Sequence, residues 1–388
     1  MKTIAVYWTR YWSKLNYMKT LVVPMAGKSS RFPDMRPKWM LTHPKNNRFM
    51  VVEAISGLNL DFFDKIYFIA LQEHEDKYQF TKGFSRELDQ LGIAEKSNIV
   101  YLNEQTSSQS ETVYRLIKDQ GLTGFFFVKD SDNYYECEIK ETNNQVAYFD
   151  LNSEDNINAR NKSYVQLDVN GILTNIVEKN VISSTFSCGG YGFSDTEDFC
   201  KSFEKLQSME GECYISNIIY DLMLSGSKFY GLGVTSYKDW GTLDVWKEYK
   251  KDYKTLFIDI DGTLITNSSI QFPPYVGEGT PLTNNISYLK NLHDTGKVYI
   301  ILTTSRPEFL RQTTEEEMER HGIPYDQLVM GLPHCKRIVI NDFARSNTYP
   351  SCEAINIPRN NDNLSEYLWW RLPYVFLDNP GSLSKYPH

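Results

Sequence analysis

Short apolar runs alternate with stretches of helical spacing along the first part of the chain. The runs TLVVPMA, KIYFIA, NIVYL and GFFFVKD predict buried strands, because unbroken apolar runs of about four to eight residues are typical of strands covered on both faces. Segments 49–57, 75–91 and 110–119 predict the helices between them. This alternation indicates an α/β fold with a largely parallel sheet, in which ligands bind at the carboxyl ends of the strands.

A second alternation follows the charged stretch KEYKKDYKT. The runs TLFIDIDGTLI, KVYIILTTSRPE, KRIVINDFA and CEAINIP predict strands, and the segments near 283–295 and 307–321 predict helices. We therefore predict a first domain over residues 18–252 and a second, independent α/β domain over 253–358.

The two ends of the chain lie outside these patterns. Residues 1–17 are basic and aromatic but lack the apolar core of a signal peptide, and MKT recurs at Met18. We interpret them as an extension outside the fold; the alternative is an aromatic anchor for a membrane or a partner. Residues 359–388 read as a polar linker followed by an aromatic-rich helix at 364–372. This helix favours packing against a neighbouring surface, within the chain or in a homodimer.

Composition excludes some classes of function. The net charge of -8 and the lack of a long basic run argue against nucleic-acid binding. No stretch reaches the roughly 20 apolar residues that span a bilayer, so the sequence predicts no membrane segment. The six cysteines show no zinc-binding spacing, which predicts reduced thiols in a cytoplasmic protein.

The turn after the first strand, MAGKSSRFPDMRPKWML, has residue types suited to phosphate. Small residues let backbone N–H groups approach phosphate oxygens, and the basic residues supply charge for a triphosphate and a leaving pyrophosphate. Taken alone, the turn is equally consistent with a strand-to-helix connection whose charges are solvated. The residues of this turn that we assign to phosphate binding are Ala26, Gly27, Lys28, Ser29, Arg31 and Lys38.

Four further stretches follow this turn in chain order: QTSSQSETVYRLI, FFFVKDSDNYY, VEKNVISSTFSCGGYGF and YKDWGTLDVW. Together the five stretches, within residues 18–250, resemble the motifs of sugar-phosphate nucleotidyltransferases, although the turn lacks that family's usual run of glycines. The Asp-x-Asp-Asn sequence is similar to that of phosphocholine cytidylyltransferases. The resemblance implies a Rossmann-like, GT-A-like domain with a mixed sheet, and it favours CTP over UTP or dTTP.

The same resemblance implies roles for individual residues. Transfer of a nucleotidyl group to a phosphorylated sugar, polyol or amino alcohol requires Mg²⁺, which prefers one or two carboxylates plus phosphate oxygens. The expected ligands are Asp132 and Asp239, with Asp130 as the substitute for Asp132. Gln109 is expected at the nucleotide and Lys179 at the acceptor phosphate. A lone aspartate at a strand end is more often a turn former, and only the ordered motifs favour the metal.

The opening run of the second domain ends in Asp259 and Asp261, immediately before a glycine. Thr304 follows the next predicted strand, and Lys336 and Asp342 accompany a later one. This DxDGT pattern resembles the haloacid dehalogenase (HAD) superfamily of phosphotransferases. The stretch HGIPYDQLVMGLPHCKRIVINDFA is similar to small phosphatases of capsule-polysaccharide gene sets.

The HAD resemblance implies an aspartyl-phosphate mechanism. Asp259 is the expected nucleophile, Asp261 the acid and base, and Thr304 the phosphoryl ligand. Lys336 would neutralise the intermediate, and Mg²⁺ is expected at Asp259 and Asp342, with Asp261 beside them. About 40 residues between Asp261 and Thr304 leave little room for a cap domain, so we predict a capless, HAD-like Rossmannoid domain. Asn341 stands where this family commonly has an acid.

Together the two resemblances predict a bifunctional enzyme of surface-polysaccharide precursor synthesis. One domain would perform Mg²⁺-dependent nucleotidyl transfer with release of pyrophosphate, and the other would remove phosphate from a related metabolite. The alternative is a UTP- or dTTP-dependent sugar-1-phosphate nucleotidyltransferase, joined to a domain that only binds a phosphorylated effector.

Overall fold

The chain divides into two compact units, and the boundary between them falls after Trp246. Each unit has its own hydrophobic core. The predicted domain boundary between residues 252 and 253 stays a prediction. The residues that the computed structural model describes are 18–27, 32, 35–153, 162–208, 211–341 and 352–368.

The first unit is built on a mixed β-sheet. Its central strand β1 is parallel to β2 and β4, whereas β9 is antiparallel to β4 and β6. In the described residues the order along the sheet is β10-β6-β9-β4-β1-β2-β3, and β7 and β8 join it beside β9; β5 and β11 form a separate antiparallel pair. The strands are β1 (Thr20–Pro24), β2 (Lys65–Leu71), β3 (Ser97–Leu102), β4 (Phe126–Lys129), β5 (Asn133–Glu136), β6 (Gln145–Asp150), β7 (Ser163–Leu167), β8 (Leu173–Glu178), β9 (Thr185–Phe193), β10 (Tyr230–Gly233) and β11 (Thr235–Asp239).

Helices cover both faces of this sheet. Leu21 and Val23 of β1 face the cluster that contains Phe84, and Val22 faces the cluster that contains Leu116. Burial on both faces explains why β1 is an unbroken apolar run. The helices are α1 (Met50–Ser56), α2 (Gln72–Tyr78), α3 (Thr81–Gln90), α4 (Gln109–Gln120), α5 (Thr196–Leu206), α6 (Ile215–Leu224) and α7 (Leu243–Lys251), with 3₁₀ turns at Lys38–Met40, Leu60–Phe62, Ala94–Lys96 and Leu151–Ser153.

Local signals account for the limits of these helices. Helix α4 begins after Ser108, whose hydroxyl accepts a hydrogen bond from the Glu111 N–H, and ends at Gly121 in the left-handed conformation. The predicted helix over 75–91 is divided into α2 and α3 because Gln79 has a φ of 48°. The mixed α/β architecture predicted for this part of the chain is confirmed.

The second unit has a parallel sheet in the order β12-β13-β14 within the part of the chain that the structure describes. When successive right-handed crossovers move in the same direction along a sheet, both connecting helices lie on the same face of that sheet. That face buries Ile300 and Leu289, whereas Phe257 and Tyr299 on the other face are exposed. The elements are β12 (Lys254–Asp259), α8 (Thr283–Asp294), β13 (Val298–Thr303), a 3₁₀ turn (Glu308–Leu310), α9 (Arg311–His321), β14 (Gln327–Val329) and α10 (Leu364–Leu368).

Two predicted strands of the second unit do not form among the described residues. KRIVINDFA is described as far as Asn341 and CEAINIP over 352–358, and neither stretch is extended in a sheet. Ile338 and Ile340 are 75% and 91% exposed. An apolar run becomes a strand only where it pairs with a neighbouring strand, and the described residues of these two stretches are not part of any sheet.

The segment 359–363, interpreted from the sequence as a linker, is instead bound to the second unit. The Asn360 N–H donates to the Gly262 carbonyl at 2.8 Å, and the Asn267 N–H donates to Asn360 Oδ1 at 2.8 Å. Asp362 Oδ1 accepts from the N–H of Asn285 in the first turn of α8 at 2.9 Å. The loop after β12 is therefore fixed by this C-terminal segment. Of the predicted helix at 364–372, α10 is described, and its last four residues lie outside the described residues.

Asn285 joins these parts through its fully buried side chain. Its amide donates to the carbonyls of Thr263 and Asn361, both at 2.7 Å, and its Oδ1 accepts from the Leu364 N–H at 2.7 Å. We expect Asn285→Ala to destabilise the second unit by about 3 kcal/mol, because three backbone groups, one buried and two partly buried, lose their partner. Thermal unfolding checks this, with the exposed Asn284→Ala as the matched control. Equal unfolding temperatures for the two variants would contradict it.

None of the helices in the described residues is long and apolar enough to cross a lipid bilayer.

Candidate active sites

The turn between β4 and β5 carries Asp130 and Asp132 to the carboxyl end of the parallel strands. Strand β5 pairs with β11 so that Asn133 lies opposite Asp239. The Trp240 N–H also donates to the Asp132 carbonyl at 2.9 Å. A single backbone pairing therefore brings together Asp132 and Asp239, which the sequence places more than one hundred residues apart.

Each of these two carboxylates is paired with a lysine. Lys38 Nζ donates to Asp132 Oδ2. Lys162 Nζ donates to Asp239 Oδ2 and to the Tyr237 hydroxyl, both at 2.6 Å. Lys38 belongs to a motif and is predicted from the sequence, whereas Lys162 stands immediately before β7, outside any motif, and carries no signal in the sequence.

A buried lysine supports the Asp130 turn. Lys129 is fully buried at the end of β4, and its Nζ donates to the Asp130 carbonyl at 2.8 Å and to the Asn133 carbonyl at 2.9 Å. Burial lowers the pKa of Lys129 to about 8, although the charges of Asp130 and Asp132 oppose this. Sequence analysis missed this residue too. The signal was available, since a lysine inside an apolar strand needs buried partners.

Asp130 points toward Gln109 rather than a lysine. Gln109 Nε2 donates to Asp130 Oδ1 at 2.6 Å, so the side chain expected at the nucleotide is engaged with a carboxylate. Burial, and then the charge of Asp132, raise the pKa of Asp130 to about 6. Gly189 of β9 provides the space, because a Cβ atom there would lie 2.1 Å from Asp130 Oδ2.

Gly189 should therefore not tolerate a side chain. Its φ of +71° is strained for other residues, and the added methyl would displace the Asp130 carboxylate. We expect Gly189→Ala to cost about 3 kcal/mol of unfolding free energy. Gly83→Ala is the control, because that position of α3 has no atom within 4 Å of the new Cβ and should be neutral or slightly stabilised. Chemical denaturation of both variants checks the difference, and equal midpoints would contradict it.

The other predicted residues of this unit are placed as follows. Ala26 and Gly27 follow β1 after one intervening residue, and Ala26 is buried whereas Gly27 is exposed. Lys179 is exposed, has a φ of 54°, and donates from Nζ to the Tyr214 hydroxyl at 2.6 Å. Lys28, Ser29 and Arg31 lie outside the described residues.

The donor chemistry suits a magnesium ion that is bound together with a phosphate ligand. Asp132 and Asp239 provide carboxylate oxygens, which Mg²⁺ prefers. In the described part of the chain, no group of three or more His, Cys, Asp and Glu side chains could hold a cation. Phosphate oxygens of a bound ligand and water molecules would complete the coordination of the ion.

Comparison with known proteins defines the fold around these residues. No family model and no curated protein matches the chain. The nucleoside-diphosphate-sugar pyrophosphorylase from Vibrio cholerae RC9 is 21% identical, and the match covers 60% of this chain and 99% of that one with a TM-score of 0.50. The first unit has a pyrophosphorylase fold.

Two further structures match less well. The inositol-1-phosphate CTP transferase from T. maritima is 12% identical, covering 59% of this chain and 92% of that one with a TM-score of 0.47. A UDP-glucose pyrophosphorylase complexed with UDP-glucose is 16% identical, covering 60% of this chain and 97% of that one with a TM-score of 0.46. The nucleotidyltransferase-like fold predicted for the first part is confirmed, whereas the HAD-like fold of the second unit stays a prediction.

In the second unit, outside the pyrophosphorylase fold, Asp259 ends β12. Arg337 Nη1 donates to Asp259 Oδ1 at 2.9 Å. Burial raises the pKa of Asp259, although Arg337 opposes this. The sequence assigns the neutralising cation to Lys336, the residue before Arg337, and that assignment stays a prediction. Asp342 lies outside the described residues.

Asp261 is held by hydrogen bonds from three side chains, two of them buried. Arg306 donates to it from Nε at 2.9 Å and from Nη2 at 2.8 Å, Thr304 Oγ1 donates at 3.0 Å and Ser268 Oγ at 2.8 Å. Arg306 also donates from Nη1 to Glu317 Oε2 at 2.5 Å. The Thr304 hydroxyl, expected at a phosphoryl oxygen, is thus used by Asp261. Sequence analysis missed Arg306, two residues after Thr304 in the stretch TTSRPE.

Proposed function

We propose that the first unit transfers a nucleotidyl group from a nucleoside triphosphate to a small phosphorylated acceptor. The observation that supports this most strongly is the pairing of β5 with β11, which brings Asp132 and Asp239 together at the strand ends of a pyrophosphorylase fold. An oxygen of the acceptor phosphate attacks the α-phosphorus, the bond to the β-phosphate oxygen breaks, and pyrophosphate leaves. The acceptor phosphate is already an anion, so no residue has to remove a proton.

Catalysis then depends on positioning and charge. Mg²⁺ held by Asp132 and Asp239 would offset the negative charge that meets in the transition state. Lys38 and Lys162 bring positive charge to the same place. Lys129 fixes the turn that carries Asp132 through its bonds to backbone carbonyls.

The choice of substrates is a finer part of the proposal. The Asp-x-Asp-Asn sequence at residues 130–133 favours CTP. A small phosphorylated sugar, polyol or amino alcohol is the proposed acceptor, and the name of the Vibrio cholerae structure, a nucleoside-diphosphate-sugar pyrophosphorylase, supports a sugar phosphate among these. The product would be a precursor of a surface polysaccharide.

We propose for the second unit a phosphatase centred on Asp259. Its carboxylate would attack the phosphorus of a phosphate ester, and the alcohol would leave with a proton from Asp261. Water would then hydrolyse the aspartyl-phosphate, giving its proton to Asp261. Arg337 lies where it could neutralise the phosphoryl group.

One observation favours a second candidate for this unit, namely binding of a phosphate ester without hydrolysis. The oxygens of Asp261 accept hydrogen bonds from Arg306, Thr304 and Ser268. A carboxylate has about four acceptor positions. When hydrogen bonds occupy them in this way, the group cannot donate a proton until some of these bonds open.

A substrate panel tests the transferase proposal. CTP, UTP, dTTP and ATP are each incubated with phosphorylated sugars, polyols and amino alcohols, and pyrophosphate is measured. We expect at least one pair to release pyrophosphate in a Mg²⁺-dependent manner. No release from any pair would contradict the proposal.

A further inference from the structure

Lys162 shares a partly buried environment with the carboxylate that it contacts. The side chains of Lys162 and Asp239 are 12% and 21% exposed. The Lys162 ammonium lies 5.0 Å from the centroid of the Tyr237 ring and 5.4 Å from that of Phe186. These contacts hold the lysine ammonium in place, so the ion pair is a built feature rather than a chance encounter of surface side chains.

The arrangement balances charge when no ligand is bound. Lys162 faces Asp239 and Lys38 faces Asp132, so two positive charges meet two negative ones. A divalent cation entering alone would have to displace one lysine or lie beside both, and either is unfavourable where charges are partly desolvated. A triphosphate makes binding of the cation favourable, because the phosphate oxygens can bind the lysines while the cation binds the carboxylates.

We propose that Lys162 is a phosphate-binding residue of the transferase site that also makes binding of the cation and the triphosphate interdependent. Without nucleotide it holds Asp239, and with nucleotide it moves to a phosphate oxygen and leaves Asp239 to the cation. This inference rests on the proposed nucleotidyl transfer. Because the lysine competes with the cation for Asp239 but contacts the triphosphate directly, its loss should change the affinity for each ligand alone in opposite directions.

Calorimetry on the full-length protein tests the inference. Mg²⁺ is titrated without nucleotide, and the triphosphate that supports pyrophosphate release is titrated in EDTA. We expect Lys162→Met to bind Mg²⁺ about fivefold more tightly, and the triphosphate about fivefold more weakly, than the wild type. Lys162→Gln should shift both affinities in the same way, and Lys162→Arg should resemble the wild type because it keeps the charge.

The control is a second lysine in a similar ion pair. Lys297 Nζ donates to Asp252 Oδ2 at 3.0 Å, with side chains 17% and 22% exposed. Lys297→Met should change neither affinity. A general loss of structure would weaken both affinities, so the opposite signs identify the specific effect.

Two outcomes overturn the inference. Unchanged or weaker Mg²⁺ binding by both Lys162→Met and Lys162→Gln would show that the lysine does not compete for Asp239. Unchanged triphosphate binding would show that it does not contact phosphate. Failure of the proposed function is seen separately, as absence of pyrophosphate release by the wild type with every substrate pair, and the inference would fail with it.

Discussion

Asp239→Asn should leave the protein folded and lower pyrophosphate release by about 10³-fold. The carboxylate is presented by β11 beside Asp132, and Asn offers a neutral oxygen in place of a charged one. The variant therefore loses several kcal/mol of charge stabilisation in the transition state. The stability of the folded protein should change little. Initial rates at saturating substrates, together with unfolding temperatures, measure the two effects.

Asp252→Asn is a matched control for this prediction. Asp252 has 22% of its side chain exposed and binds Lys297, while Asp239 has 21% exposed and binds Lys162. Each variant loses one partly buried ion pair between an aspartate and a lysine, so the two variants should lose a similar amount of stability. Only Asp239→Asn should affect the rate. Near-normal pyrophosphate release from Asp239→Asn would remove this residue from the site.

The first unit could be predicted well from sequence because its central strands β1, β2 and β4 are buried on both faces. The predicted strands coincide with β1, β2, β3 and β4, and two of the three predicted helices with α1 and α4. A core on both sides of a sheet requires long apolar runs, which are a strong signal for buried strands. The break at Gln79 was missed, because a left-handed residue other than glycine leaves no clear mark in a sequence.

The second unit was less predictable because one face of its sheet is exposed among the described residues. Apolar residues such as Ile338 and Phe257 are exposed, so an apolar side chain does not indicate a buried position in this unit. The segment 359–363 showed the reverse error. Its polar residues indicated a linker, yet Asn360 and Asp362 are used as hydrogen-bond partners by the loop after β12 and by α8.

Some of the candidate site residues could be predicted from the sequence and others could not. Those embedded in an ordered motif, such as Asp132, Asp239 and Asp259, were predicted, and the structure places the first two side by side. Lys162 and Arg306 were missed because their importance depends on which carboxylate the fold places beside them. Tertiary contacts of this kind have no fixed spacing in the sequence.

Asp259→Asn should abolish phosphate release from small phosphate esters, with a loss of about 10³-fold or more, while pyrophosphate release stays unchanged. An amide cannot form the aspartyl-phosphate, and Asp259 belongs to a different sheet from the transferase residues. Phosphate release from a panel of sugar and polyol phosphates measures the first effect, and the nucleotidyl-transfer assay the second. Asp294→Asn, an exposed carboxylate at the end of α8, is the control and should change neither activity.

The same assay separates the two candidates for the second unit. Hydrolysis that requires Asp259 would mean that Asp261 can leave Arg306 during the reaction. If the wild type releases no phosphate from any ester but binds one of them, with Asp259→Asn changing only its affinity, the unit is a binding domain. The buried contact of Arg306 with Asp261 and Glu317 would then be the reason, since it holds the expected acid away from the leaving group. Loss of both activities in Asp259→Asn, with the fold intact, would contradict separate active sites.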